Sequence, residues 1–120
     1  MPFAVMSSFS NVGASSWAEA LAWATQLSVD QGRPIAELQA WGHGGFGYMQ
    51  LGREQWSAVT MNESLARPID LFRARLAADS LVWFRCCSAF GHTTGQAFAT
   101  DAAARLNARV AGHTFIIGFW

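Results

Sequence analysis

Leu81-Val82-Trp83-Phe84-Arg85-Cys86-Cys87-Ser88-Ala89-Phe90-Gly91 is an apolar run that stops on two adjacent thiols and then turns. An apolar run of about four to eight residues that ends in small residues and leads into a helix is the pattern of a strand buried on both faces of a parallel sheet. Such a strand delivers its last side chains to the carboxyl edge of the sheet, where open α/β folds keep their ligand sites. A second run, Ile35 to Trp41, ends in the same manner on Gly42-His43-Gly44-Gly45. Parallel pairing of the two runs carries His43 to the edge that holds Cys86 and Cys87.

The rest of the chain reads as alternating elements. Phe3 to Phe9 is a short first strand, and Ser10-Asn11-Val12-Gly13 is turn chemistry. Ser16 with Glu19 three residues later predicts a capping box, in which hydroxyl and carboxylate each satisfy a backbone donor of the first helical turn. Trp17, Ala20, Leu21, Ala24 and Leu27 then recur at helical spacing until Gly32-Arg33-Pro34. Strand, helix and strand make a βαβ unit. The glycines between Gly42 and Gly52 predict a tight loop after His43 and a short hairpin or flap at the edge of the site. Residues 53–63 read as loop with one helical turn near Gln55 to Ala58. Pro68 suits a first helical turn, and Ile69, Leu71, Phe72, Arg75 and Leu76 predict an apolar stripe through Ala78. After Gly91, Thr93 and Gln96 predict a second capping box on a helix running to about Asn107. Arg109 to Ile117 is the final strand, broken at Gly112-His113. The fold expected is a single α/β domain over residues 1–120, three-layer α/β/α with a mostly parallel sheet of about four strands.

Composition narrows the partners. Eight arginines with no lysine face eight acidic residues, for a formal net charge of zero. Nucleic acid and anionic membrane surfaces need concentrated basic charge, and no apolar stretch approaches the length of a membrane span, so neither is expected as a partner. Two adjacent cysteines make no disulfide framework. That points to a cytoplasmic compartment or to a domain within a larger exported protein. The apolar ending, residues 114–120, predicts truncation there, a further C-terminal segment, or a homo-oligomer formed through the C-terminal edge strand.

A thiol is largely protonated at neutral pH and attacks only as the thiolate, so a nucleophilic cysteine needs local help. His43 and the amino end of the helix beginning near Thr93 are the two sources in reach. Backbone N–H groups at Cys87 or Ser88 and at Gly44 are the candidates for holding a developing oxyanion, and Gly45 lets a substrate backbone come close. Arg85 is a candidate for a substrate carboxylate, or for a structural pair with Asp79 or Asp101. Adjacent residues of a strand face opposite ways, so Cys87 is the candidate for the site and Cys86 for packing. His92 is the second candidate partner for the thiol, and His113 reads as structural. The three histidines and the cysteines lack the paired spacing of a zinc site, so no metal or cofactor is expected. The six tryptophans read as core or wall.

The pairing of His43-Gly44 after one strand with Cys86-Cys87-Ser88-Ala89 after a later one resembles the caspase-type cysteine peptidases of clan CD, such as caspases, legumain, gingipains and separase. By that resemblance His43 stands for the catalytic histidine and Cys87 for the nucleophile, with Cys86 where those enzymes usually carry a small residue. Trp41 to Gly47, Arg85 to Gly91 and Ala111 to Thr114 are similar to bacterial caspase-like domains, some embedded in large proteins. The resemblance implies a Cys-His dyad for acyl transfer on a peptide or protein substrate, self-processing included. The alternative, from a different class, is a non-catalytic caspase-like interaction or structural module of a larger protein.

Overall fold

The computed structural model describes residues 3–7 and 10–114. The elements run β1 (Phe3–Ser7), β2 (Ser10–Ala14), α1 (Trp17–Gln31), β3 (Ile35–Trp41), β4 (His43–Gly45), β5 (Tyr48–Leu51), β6 (Glu54–Ser57), a 3-10 turn (Thr60–Asn62), α2 (Ala66–Arg73), β7 (Leu76–Arg85), α3 (His92–Leu106) and β8 (Arg109–Gly112). Five strands form one sheet in the order β2-β1-β3-β7-β8, and β4-β5-β6 form a second, antiparallel sheet. In the first sheet β3, β7 and β8 are parallel neighbours, whereas β1 runs antiparallel to both β2 and β3. The expected four mostly parallel strands are therefore five, with parallel pairing confined to three.

The cause is the segment read as a turn. Ser10 to Gly13 belongs to β2, which pairs along β1 from Phe3↔Ala14 to Ser7↔Ser10. Pairing with a neighbouring strand overrides the weak local preference of Ser, Asn and Gly for turns. The chain therefore reverses before α1, and the crossover joins β2 to β3 over β1 instead of joining β1 to β3. In α1, Ser16 caps as expected by accepting the Glu19 N–H at 3.1 Å. The Glu19 carboxylate accepts from the Ser15 hydroxyl at 2.9 Å. Gly32 closes the helix in the left-handed conformation, φ 62°, which costs glycine no steric penalty.

Two further segments differ from expectation for tertiary reasons. Gln55 to Ser57 lies in β6, where Trp56 pairs with Met49 and both side chains are fully buried. Helix α2 ends at Arg73, and the stripe expected through Ala78 is cut short. The Arg75 carbonyl accepts the Ile35 N–H at 2.7 Å, which commits the chain from Leu76 onward to the sheet. Ile69 and Phe72 face the core, and Leu71 is 50% exposed. The C-terminal strand covers Arg109–Gly112, and its expected continuation beyond residue 114 lies outside the described residues, as do Phe9 and the apolar tail.

All three helices lie on one face of the five-stranded sheet. Phe84 of β7 meets Trp17 of α1, Trp56 of β6 and Phe98 of α3 with ring centroids 6.0, 5.2 and 5.3 Å apart. Helix α2 packs against α1 and α3. Leu38, Ala40, Val82 and Phe84 are fully buried on that face, whereas their alternates Gln39, Trp41, Leu81, Trp83 and Arg85 are only half-buried. The described residues thus form two layers where three were expected, and β3 and β7 bury one face instead of two. Glu37-x-Gln39-x-Trp41 and Trp83-x-Arg85 carry this alternation in the sequence.

Candidate active site at the carboxyl edge of the sheet

Strands β3 and β7 pair in register from Glu37↔Leu81 to Trp41↔Arg85. Beyond that last pair the Gly42 N–H reaches the Arg85 carbonyl at 3.5 Å, so the two chains leave the edge side by side. His43 and Cys87 each stand two residues past the Trp41–Arg85 pair.

The two thiols differ in environment. Cys86 is 3% exposed. A Cβ added to Gly44 would come within 2.5 Å of its sulfur and 2.9 Å of the Tyr48 carbonyl, so glycine at 44 makes room for the thiol. Burial, and then the neighbouring Cys87, push the Cys86 thiol up from 9.0 to about 12, against a lowering hydrogen bond from the Ala89 backbone. Cys86 is therefore a packing residue and stays protonated. Cys87 is half-buried, and His43 is exposed at the start of β4 opposite Gln50. Gly44 faces Cys86, so His43, one position earlier in the same strand, projects the other way.

The β7–α3 turn holds the thiols in a strained path. Ser88 is buried with φ 47°, and His92 opens α3 with φ 57°. Left-handed backbone in non-glycine residues costs roughly 1 kcal/mol or more each and persists only where surrounding contacts impose it. Here Gly91 N–H bonds the Ser88 carbonyl at 2.9 Å, Gly95 N–H bonds the Gly91 carbonyl at 2.8 Å, and Phe90 N–H bonds the His113 carbonyl at 3.0 Å. Gly91 is the N-cap of α3 and no side chain caps it, so the expected Thr93–Gln96 box does not form. Thr93 already lies in the first helical turn, two positions past the N-cap.

The flap expected after His43 is the β4–β5 hairpin, and it docks on this turn. Gly47 N–H bonds the Ala89 carbonyl at 3.0 Å, and Phe46 meets the His92 ring edge-on at 4.2 Å. His92, the second candidate partner for the thiol, is thus engaged with the flap tip. Gly45 is covered by the Tyr48 ring, which a Cβ at 45 would strike, so the space there serves Tyr48 instead of a substrate backbone. His113 is half-buried, with its carbonyl in the turn.

Arg85 takes neither expected carboxylate. Asp79 pairs with Arg109 at 3.1 Å, and Asp101 lies exposed on α3. The Arg85 guanidinium lies 4.2 Å from the Trp83 ring and 5.1 Å from the Trp41 ring, and it donates to Gln39 Oε1 at 3.0 Å. Gln39 Nε2 in turn donates to Glu37. Trp41, Trp83 and Gln39 were not singled out from the sequence as site residues, and their signal was the period-two alternation toward one face. Cavities of about 310 and 360 Å³ lie elsewhere, between α1 and α2 and beside Met61 and Arg105. Among the described residues no three His, Cys, Asp or Glu side chains cluster to hold a metal ion, and no helix is long and apolar enough to cross a membrane.

Compared with known proteins, the chain matches no family model, no curated protein and no solved structure. The chemistry of this edge is accordingly argued from the arrangement of its own residues.

Proposed function

We propose that the chain is a thiol hydrolase of caspase-like type that cleaves peptide bonds with Cys87 and His43. The observation that supports the reading is the in-register parallel pair β3–β7, whose last pair, Trp41↔Arg85, lies two residues before both His43 and Cys87. In this mechanism the Cys87 sulfur attacks the carbonyl carbon while its proton passes to His43. His43 then protonates the departing amine, and water releases the acyl group from the resulting thioester. Backbone N–H groups of the Cys87–Ser88 turn and of Gly44 are the oxyanion donors of this scheme. Cys86 takes no part, because a thiol held near pH 12 carries no useful thiolate fraction at neutral pH.

The test is cleavage of a pooled peptide library, or of the chain itself, read by mass spectrometry. The wild type and Cys86→Ala are expected to give the same products, and Cys87→Ala none. Products that persist in Cys87→Ala, or no products from the wild type, would refute the reading. The second reading, a non-catalytic binding module, is favoured by the half-buried aromatic face of the sheet, and it predicts no cleavage by any variant.

A further inference from the structure

Helices α1 and α2 pack together and still leave a cavity of about 310 Å³ between them, at the lower end of the size range of small-molecule sites. None of its lining residues belongs to the strand ends that carry His43 and Cys87. The space follows from side-chain size. Ala18, Ala22 and Thr25 recur on one face of α1 at spacings of four and three, so that face meets α2 with small groups. Across the gap Leu71 of α2 is 50% exposed, although its neighbours Ile69 and Phe72 are fully buried. The Thr25 hydroxyl donates to the Leu21 carbonyl at 2.8 Å and the Gln26 amide donates to Asp30 at 2.8 Å, so these polar groups are engaged within α1. The walls that remain are mainly carbon.

The lining carries one charge, the Arg67 guanidinium. Arg67 lies with Pro68 in the first turn of α2, where the helix dipole favours an anion. No acidic residue stands in that turn, and Leu65 at the N-cap offers no side-chain acceptor. Each carboxylate of the two helices is engaged elsewhere: Glu19 with Ser15 at 2.9 Å, Asp30 with Gln26, and Asp70 with Arg105 at 2.6 Å. Among the described residues the ion pairs are Arg105–Asp70 and Arg109–Asp79, so Arg67 has no carboxylate partner there. A cation where the backbone favours an anion, at the edge of an apolar cavity, is a local inconsistency that a bound carboxylate resolves.

We propose that the α1–α2 cavity is a binding site for a small apolar monocarboxylate, whose hydrocarbon body lies against Ala18, Ala22 and Leu71 and whose carboxylate meets the Arg67 guanidinium. The apolar body supplies most of the affinity through burial, and the guanidinium fork selects the anion through paired, charge-assisted hydrogen bonds. This site is independent of the hydrolase reading and stands or falls without it.

The experiment titrates the isotope-labelled chain at about pH 7, where a carboxylic acid is ionised, with hexanoate, with its neutral counterpart hexanamide, and with acetate, which lacks the apolar body. Binding is read from the backbone amide signals of Ala22, Gln26 and Leu71. Hexanoate is expected to shift them saturably with a Kd on the order of 1 mM. Hexanamide should bind about three- to tenfold more weakly, and acetate should not saturate. In Arg67→Gln the preference for hexanoate over hexanamide falls to about one. In Ala22→Leu the added side chain occupies the cavity, and both ligands weaken on the order of tenfold. Absence of saturable shifts at these amides, equal affinity for acid and amide in the wild type, an undiminished preference in Arg67→Gln, or unchanged binding in Ala22→Leu would overturn the site. Shifts confined to Trp41 and Trp83 would place the ligand on the open face of the sheet and overturn it as well. Arg67 and Ala22 are both exposed, so neither substitution reaches the core, and the wild-type comparison of acid with amide needs no variant.

Discussion

Cys86 and Cys87 share a peptide bond and meet different surroundings, which gives each its own testable behaviour. The unfolded Cys86 thiol titrates near 9.0 and the folded one near 12. Between those values the unfolded chain has lost a proton that the folded chain keeps. The contribution to stability is therefore complete below about pH 9 and is lost as pH rises toward 12, with a slope of up to about 1.4 kcal/mol per pH unit. Urea denaturation at about pH 8 and pH 10 should show a steeper loss in the wild type than in Cys86→Ala; equal losses would mean that the thiol is not held protonated. At the neighbouring position, Gly44→Ala places a methyl group against the Cys86 sulfur and the Tyr48 carbonyl. A cost of about 1–3 kcal/mol is expected. Adding Cys86→Ala should return part of it, because the sulfur is one of the two obstacles. Full additivity in that double-mutant cycle would contradict the packing described.

Helix α1 shows how far local signals reach. Ser16→Ala should cost about 1 kcal/mol in thermal or urea unfolding, since it removes the acceptor of the Glu19 N–H. Glu19→Ala should cost less, because its carboxylate bonds Ser15 and returns nothing to the N-cap. Elements whose instructions lie within a few residues were legible in the sequence: the Ser16 cap, the Gly32 stop, the bounds of β3 and the flap after His43. Elements decided by distant partners were not. Strand β2 exists because β1 offers it a full ladder, β6 because Trp56 fills the space beside Phe84, and α3 begins at His92 because the turn of residues 86–91 fixes its N-cap at Gly91. The parallel pairing of the two runs ending in His-Gly and Cys-Cys was legible for the same reason as β3. The open face was written in the Gln39, Trp41, Trp83 and Arg85 alternation. High apolar content along both strands masked it as burial on two faces.

At the scale of the whole molecule, one ring ties the layers together. Phe84 touches aromatic side chains from α1, β6, the β7–α3 turn and α3. Phe84→Ala should therefore cost about 3–5 kcal/mol and leave the domain near the limit of folding. The same packing positions the function proposed. Phe84 precedes Arg85 in β7, and the core residues on its face hold the β3–β7 register on which the proposed Cys87–His43 pairing depends. The most direct measurement of that pairing is the rate of iodoacetamide labelling at Cys86 and Cys87, resolved by peptide mass spectrometry, at about pH 6 and about pH 9.5 in the wild type and in His43→Ala. The account predicts rapid labelling of Cys87 alone at the lower pH, slowed on the order of tenfold by His43→Ala and little changed by it at the higher pH. Slow labelling of Cys87 at the lower pH, indifferent to His43, would contradict it.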